Sequence, residues 1–500
     1  MTSEASTASV GHDARAKPRV LAWCVSRRWP LVVWTAMTGW SLALFAIVRS
    51  DYLEFRLARF DLGNMVQAVW STAHGRPLEI TDASGEQMVR LGSHVDPILA
   101  LFAPLWMLAP SPLTLAAVQI GACALGALPL FWLGRKHLGS DRAAALLALA
   151  YLASPWLAWT ALDAIHPVTF AIPLFLYAIW FLDNRRLGAF LICAVLVLAT
   201  GELMGLALAA LGVWYGLSRG ERRIGLVIAI AGAGWTAVCL KVVVPAFRGT
   251  ESPFYNRFAS VGGSPEGVLK TLFTDPGAIV SALFTGTDIS YLGFLAVPLA
   301  GALLLSPALA AVAAPQLLVN ALSDLPATTD PRHHYIAAVL PFLFAAAVLG
   351  VARLPVARRT GFAAVILVLS SVCAVAFGPW PGGPGVGSGR FHPTLPRAHV
   401  EALRAAVAVV PDGAPVTATN GVGSVLSDRR YFYSVPVVEP RTEWILLDTW
   451  NTWIPPSETH TGGVDPDLVR AFLDRIQASP RWQRVFERDG VLVFERVRRR

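Results

Sequence analysis

The 500-residue chain is 55% hydrophobic and only 15% charged, where soluble domains run nearer a quarter charged. Its net charge of +8 does not indicate nucleic acid, because the arginines stand at the ends of long uncharged runs, where in a membrane protein they set orientation. These proportions exclude an ordinary soluble domain and point to a mainly α, polytopic membrane protein, with membrane lipid as a partner and no nucleic acid.

Residues up to Lys17 are polar and small. With the basic lead-in (Arg15, Lys17, Arg19, Arg27, Arg28) they read as a cytoplasmic tail over 1–28. The first apolar run, Trp29–Val48, is long enough to span and has no small-residue cleavage site behind it, so it is expected to be an uncleaved helix. A span needs about 20 residues. Further single spans are expected at 113–134, 142–160, 167–182, 224–245, 335–352 and 360–378. The runs 187–217 and 291–322 are too long for one span and break at Thr200-Gly201-Glu202 and Ser306-Pro307, giving 187–200, 203–217, 291–305 and 307–322. The total is about 11 spans within a transmembrane domain over 29–378. Pro97–Ala109 is too short to cross and reads as an interfacial or re-entrant helix. With the N-terminus cytoplasmic, the short basic loops (Arg135-Lys136, Arg185-Arg186, Arg219 with Arg222-Arg223, Arg353 with Arg358-Arg359) all fall inside, and the C-terminal region falls outside. Five cysteines (Cys24, Cys123, Cys193, Cys239, Cys373) lack metal-ligand spacing, so no structural disulfide and no zinc site is expected.

On this topology the acids and histidines collect in outer loops, chiefly the large first loop 49–112. Asp61 reads either as the cap of an amphipathic stretch 62–73 or as a carboxylate placed to take a proton from an acceptor hydroxyl. The second reading draws its weight from the resemblance described below. His94 with Asp96, and Asp163 with His166, are short acid–histidine pairs suited to hydrogen-bonded loop packing. Their spacing also admits a metal, with the third ligand unspecified. Glu202 sits at the break of an apolar run with no other acid; mid-bilayer it would cost about 3 kcal/mol, so it belongs at an interface, in a cavity or beside a partner such as Arg332. Arg332-His333-His334 at a helix entrance suits a phosphate or an interfacial anchor. Lys241, alone in an apolar helix, either snorkels or faces a phosphate. Among the 17 tryptophans, Trp106, Trp156 and Trp159 read as interface-belt residues rather than a groove lining. Loop 246–290, rich in Gly, Pro, Ser and Phe, reads as structureless and lid-like.

After Gly378-Pro379-Trp380 a glycine-rich linker, 379–391, leads to a small extracytoplasmic α/β domain, 392–500. Helices are expected at 396–409 and 465–477, and strands at 414–419, 431–435, 444–448 and 491–496. Asn420-Gly421-Val422-Gly423 is a weak phosphate-loop signal.

The stretch Arg59-Phe-Asp-Leu-Gly-Asn-Met-Val-Gln-Ala-Val-Trp-Ser-Thr-Ala-His-Gly75 resembles a bacterial multi-span family, domain of unknown function 2079. Gly92-Ser-His-Val-Asp-Pro97, Asp163-Ala-Ile-His-Pro167 and Arg332-His-His-Tyr335 resemble it too. That family in turn is similar to the C-type glycosyltransferases. The resemblance implies a large first outer loop carrying an acidic catalytic residue, eleven to thirteen spans, a soluble outer domain and a polyprenyl-phosphate-linked sugar donor. By position Asp61 corresponds to the first-loop acid, although a second adjacent acid is absent (Leu62 follows). Near the central break Thr200-Gly201-Glu202 stands where a Lys-Glu-Glu type of cluster would be expected, leaving one acid. The resemblance thus implies a glycosyltransferase moving a sugar to an acceptor, of a kind the residues do not specify, at the outer face of the cell membrane. Asp61 would be catalytic; Glu202, Asp163, His166, His94 and Asp96 would position substrates; Arg332, His333, His334 and Lys241 would hold phosphate. No resident metal or cofactor is expected. The rival reading is a polytopic transporter or lipid flippase; no internal repeat of the kind common in transporters is visible.

Overall fold

A computed structural model describes residues 19–163, 165–384, 395–455 and 462–497, apart from the side chains of 19–27 and of Asp61. Residues 1–18 of the expected tail and most of the linker lie outside the described residues; the rest of that tail is helical, the start of Arg19–Leu53. Among the described residues, four helices are long and apolar enough to cross a membrane: Arg28–Leu53, Pro112–Leu138, Arg222–Arg248 and Val356–Phe377. Two further apolar pairs, Asp141–Leu152 with Pro155–Leu162 and Pro276–Leu283 with Gly286–Leu299, bend by 48° and 47°. Six shorter apolar helices complete the set: Pro97–Leu108, Pro167–Asp183, Leu187–Leu198, Met204–Ser218, Pro307–Ala321 and Leu340–Ala352. The chain is a polytopic helical membrane protein with a small C-terminal sheet domain.

The helices are two-sided in a way water would not tolerate. On the first helix Val33, Met37 and Leu44 are buried in the bundle, while Leu31, Trp34 and Leu42 are exposed. Leu226, Val227 and Ile230 form a ridge 60–67% exposed. Contiguous apolar surface of this kind needs lipid against it. Inside, helices Met204–Ser218 and Arg222–Val238 approach at glycines: a Cβ on Gly232 would meet the Gly205 carbonyl at 2.4 Å, and one on Gly225 the Gly212 carbonyl at 2.5 Å. Small residues let two apolar helices pack in lipid, where no hydrophobic force joins them.

Three readings of the sequence are corrected. Segment 246–290 is not structureless but carries Pro253–Val261, Pro265–Thr274 and Pro276–Leu283. Its Ser252-Pro253, Ser264-Pro265 and Asp275-Pro276 pairs look like loop punctuation, yet each is a cap followed by proline at the first helical position, with the cap side chain accepting a backbone N–H. The run 291–322 is cut twice, at Ala300-Gly301, where both residues take positive φ, and at Ser306. Trp106, Trp156 and Trp159 form no belt; all are buried, and the last two indole N–H groups donate to the Phe294 and Phe377 carbonyls at 2.8 and 2.6 Å.

In the first loop, helix Asn64–Ala73 packs on a hairpin of β1 (Glu79–Thr81) and β2 (Gln87–Val89). The C-terminal domain has a five-stranded sheet of β3 (Val416–Ala418), β4 (Phe432–Ser434), β5 (Trp444–Asp448), β8 (Trp482–Arg488) and β9 (Val491–Arg496), in the order β4-β3-β5-β9-β8. A separate pair, β6 (Trp453–Ile454) and β7 (Gly463–Val464), flanks it. The period-two pattern feeds two cores: Leu446, Val491 and Val493 meet helix Arg397–Val409, while Ile445, Leu447, Leu492 and Phe494 meet helix Pro466–Ala478. The strand 482–488 escaped the sequence reading because Trp-Gln-Arg-Val-Phe-Glu-Arg has only a weak alternation and lies at the sheet edge.

This domain is docked on the first loop. Arg59, 1% exposed, donates to Ser434 Oγ and the Thr81 carbonyl, and its guanidinium lies 4.8 Å from the Phe432 ring centroid. Gln67 donates to the Arg429 and Arg430 carbonyls at 3.1 and 2.9 Å, and Asn420 Oδ1 accepts from the Phe60 amide at 3.1 Å. The glycine-rich turn is therefore a packing device: a Cβ on Gly423 would fall 2.1 Å from the Arg59 Cβ. Gly423→Val is expected to cost on the order of 1–3 kcal/mol. A lower unfolding temperature in detergent and faster proteolytic release of the C-terminal domain would show it; unchanged behaviour would contradict the close contact.

Candidate functional site

A cavity of about 450 Å³ opens among the first loop, the segment after Arg248 and the helix breaks. Phe60, Arg90 and His94 come from the first loop, Thr200, Gly201 and Glu202 from the break between Leu187–Leu198 and Met204–Ser218, and His166 from the turn after Pro155–Leu162. Phe254, Arg257 and Phe258 come from helix Pro253–Val261, and His334 and Tyr335 from the turn before Leu340–Ala352.

Glu202 is the hinge of one wall. Its Oε1 meets His94 Nδ1 at 3.1 Å, and Oε2 accepts from the Val95 amide at 3.0 Å. The helix break is what frees it for this: an unbroken helix would have left the carboxylate facing neighbours in the bundle. Thr236 Oγ1 donates to the Glu202 carbonyl at 2.8 Å, closing a backbone group that the break exposes. Burial pushes the Glu202 carboxyl up, but His94 and the Val95 amide outweigh it and bring it down to about 2. His94 stacks on Phe254 at 4.4 Å and 17°, and Arg257 lies 4.4 Å from the same ring and donates to Tyr335 Oη at 3.5 Å. Helix Pro253–Val261 thus covers the cavity through an aromatic and a guanidinium.

The opposite wall is built on Asp163, 4% exposed. Its Oδ2 accepts from the His334 backbone N–H and from His334 Nδ1, both at 2.9 Å. His166 Nδ1 donates to the Asp163 carbonyl at 2.7 Å and lies 4.0 Å from Oδ2. The imidazoles of His166 and His334 stack 3.6 Å apart at 15°. Gln119 Oε1 fixes the turn by accepting from the His166 amide at 2.9 Å. Burial raises the Asp163 carboxyl; His166 and His334 overcome that and hold it well below the usual carboxylate range.

The other sequence candidates separate. Asp96 is bound twofold by Arg90, with Nε–Oδ2 2.9 Å and Nη2–Oδ2 2.7 Å, and is 2% exposed, a brace at the edge of the cavity. Arg332, His333 and Lys241 are not among the residues lining the cavity. Arg332 chelates Asp330, Nε to each carboxylate oxygen at 3.0 Å, rather than meeting Glu202. Lys241 bonds Glu266 at 2.7 Å and approaches Glu251 at 3.7 Å, tying its helix to the covering segment. The Asp61 side chain lies outside the described residues; its backbone sits in the π-helical turn Arg59–Gly63, and its neighbour Phe60 lines the cavity.

The residues that sequence reasoning missed are Arg248, Arg257, Gln316, Asn320 and Tyr335. The two amides carried a signal: four apart in an apolar run, they bond to each other at 2.8 Å, and Asn320 donates to Tyr291 Oη and the Tyr335 carbonyl at 3.0 Å. The arginines carried none, because they lay in a segment read as loop.

A family model described as a predicted membrane protein, DUF2079, matches residues 52–493. No curated protein matches the chain. Among solved structures, the crystal structure of ArnT from Cupriavidus metallidurans bound to undecaprenyl phosphate is similar at 14% identity and a TM-score of 0.49, over 92% of this chain and 98% of that one.

Because the folded Glu202 carboxyl is depressed from 4.5 to about 2, its contribution to stability is present above the unfolded value and is lost as pH falls through that window. Glu202→Gln should therefore lie on the order of 1–3 kcal/mol below wild type at neutral pH, with the gap closing as the medium is acidified from pH 4.5 toward 2. Thermal unfolding in detergent at several pH values measures the gap; a gap independent of pH would contradict the assigned pairing.

Proposed function

This chain belongs to the DUF2079 family of predicted membrane proteins, and we propose that it is a membrane glycosyltransferase of the C type, moving a sugar from a polyprenyl-phosphate donor to an acceptor at the outer membrane face. One observation carries the reading: His94, Glu202, His166, His334 and Arg257, from five separate parts of the chain, converge on one cavity beside the π-turn that bears Asp61. The cavity has an aromatic cover, cationic groups for a phosphate and apolar helices around it, which suits a lipid-linked anionic donor.

Counting the four long helices, the two bent pairs and five of the six shorter apolar helices, with Pro97–Leu108 lying in the interface, gives eleven spans. The basic loops then face the cytoplasm, and the domain 392–500 stands outside, joined by linker 379–391 to the transmembrane domain 29–378 and opposite the tail 1–28.

In this reading Asp61 is the general base. The acceptor hydroxyl attacks the anomeric carbon, its proton passes to the Asp61 carboxylate, and the bond from that carbon to the phosphate oxygen breaks, so the configuration inverts and polyprenyl phosphate leaves. Arg257, with Arg248 and His334, holds the departing phosphate. Arg332 and His333, which the sequence alone suggested for the phosphate, do not line the cavity, and Arg332 chelates Asp330. Glu202 and Asp163 orient the histidines; Asp96 and Lys241 hold the loops that form the cavity.

Purified protein with labelled polyprenyl-phosphate sugars should show transfer that Asp61→Asn reduces by about 10²-fold or more. Arg257→Ala should raise the KM for donor about tenfold, the loss of one charge-assisted hydrogen bond. Transfer unaffected by Asp61→Asn would remove that residue from the mechanism, and donor crossing proteoliposomes without any transfer product would favour transport.

A further inference from the structure

Away from the cavity, helices Leu187–Leu198, Met204–Ser218 and Arg222–Val238 meet at one corner of the bundle. Arg185, just before the first of them, pairs with Glu221, just before the third, at 2.9 Å. Arg219, just after the second, reaches Asp183 at 2.6 Å. These pairs bring Arg186 to the same corner as Arg222 and Arg223. We propose that this corner binds an anionic phospholipid, with those three arginines on the acidic headgroup and the apolar faces that start beside them along the acyl chains.

Two features point to that ligand. The first is uncompensated charge. Asp183, its side chain 1% exposed, is shared by Arg219, by Lys136 at 2.8 Å and by His137 at 2.8 Å. Glu221 is taken by Arg185. The carboxylates of the corner are thus occupied. Arg186, Arg222 and Arg223 are all exposed and have no carboxylate partner among the described residues. Basic groups at the ends of membrane helices attract acidic lipid headgroups, and a guanidinium can hold a phosphate through two parallel N–H bonds.

The second is what lies next to the charge. Arg222 and Arg223 open a helix long and apolar enough to cross a membrane. Four residues on, and so on the same faces, Leu226 and Val227 are exposed. Leu187 directly follows Arg186 and is exposed with Leu191 one turn further. Helix Met204–Ser218, packed against both neighbours, adds an exposed Leu217 near its end. Cations therefore stand one turn from apolar surface, the order of headgroup and acyl chain in a phospholipid. Arg142 shows the contrast: it is exposed at the same end of the bundle, but buried Ala143, Ala144 and Ala145 follow it. A soluble phosphate would use the charges and leave the apolar faces uncovered. A zwitterionic lipid would set its own ammonium against the arginines. The inference needs neither the cavity nor a sugar donor, so it stands apart from the transferase reading.

The full chain, delipidated in an uncharged detergent, is titrated with phosphatidylglycerol, phosphatidylcholine or inorganic phosphate. Native mass spectrometry counts bound lipid, and the unfolding temperature is followed in parallel. Phosphatidylglycerol is expected to bind more tightly than phosphatidylcholine and to raise the unfolding temperature; phosphate alone is expected to leave that temperature unchanged. Arg222→Gln/Arg223→Gln should weaken phosphatidylglycerol binding about tenfold or more. Arg135→Gln/Arg142→Gln, which removes the same charge from the same end of the bundle, should keep it. Should the first variant misfold, wild-type protein gives a second reading: phosphatidylglycerol, and not phosphatidylcholine, slows amide hydrogen exchange across 185–187 and 219–225. Equal affinity for the two lipids, equal stabilisation by phosphate, equal loss in both double variants, or unchanged exchange in those segments would each overturn the site.

Discussion

Arg59 carries a guanidinium almost wholly removed from water, between the first loop and the C-terminal domain, with the Thr81 carbonyl and Ser434 Oγ as acceptors and the Phe60 and Phe432 rings at 5.4 and 4.8 Å. Burial draws its pKa down to about 9, and Asp82 works against that fall, so the group stays charged at neutral pH. A charge in such a place is tolerable only when its hydrogen bonds are made, which couples three otherwise separate pieces of chain: the π-turn, the β-hairpin and the sheet edge at β4. The turn Arg59–Gly63 is fixed from both sides, since Gly423 leaves no room for it to shift. Asp61 and Phe60 inherit their backbone position from this anchoring.

A second constraint acts beneath the seam. In hydrocarbon every backbone N–H and C=O must be paired within the protein, so non-helical chain collects where it is covered by protein or lines a polar cavity. The breaks at Thr200–Leu203, after Leu162, at Ala300-Gly301 and before Leu340 follow that rule. The first brings Glu202 to His94, the second brings Asp163 to His334, and the backbone groups they release are taken up by Thr236 and Gln119 side chains. The segment Pro253–Val261 covers the result, steadied from outside by Lys241 with Glu266. Its neighbours present Leu272, Phe273 and Phe284 outward, as an element resting on a membrane surface would.

Much of this architecture was legible in the sequence because hydropathy is a strong signal over twenty residues. The break at Thr200-Gly201-Glu202 was visible as a charge that an apolar run cannot carry through the bilayer. The strands at 444–448 and 491–496 were legible from the apolar runs 444–447 and 491–494 with which they begin. What escaped were features decided by partners far away in the chain. Ser-Pro and Asp-Pro pairs signal both loops and helix starts, and the cap hydrogen bonds made by Ser252, Ser264 and Asp275 decide for helix in 246–290. Nothing local distinguishes Arg332, chelated by Asp330, from Arg257, facing the cavity. The pair Asp163/His166 was legible as a pair; its completion by His334 was not, because the two segments are joined only through the fold.

Photo-crosslinking tests whether a polyprenyl phosphate occupies the cavity beneath Pro253–Val261. The full chain in detergent is irradiated with a polyprenyl phosphate carrying a photoreactive group near the phosphate, and adducts are mapped by mass spectrometry. The account predicts adducts on the cavity walls, at residues 253–258 and 200–204, that an excess of unlabelled polyprenyl phosphate removes. Adducts confined to the lipid-facing ridge of Leu226, Val227 and Ile230, insensitive to that competition, would contradict it.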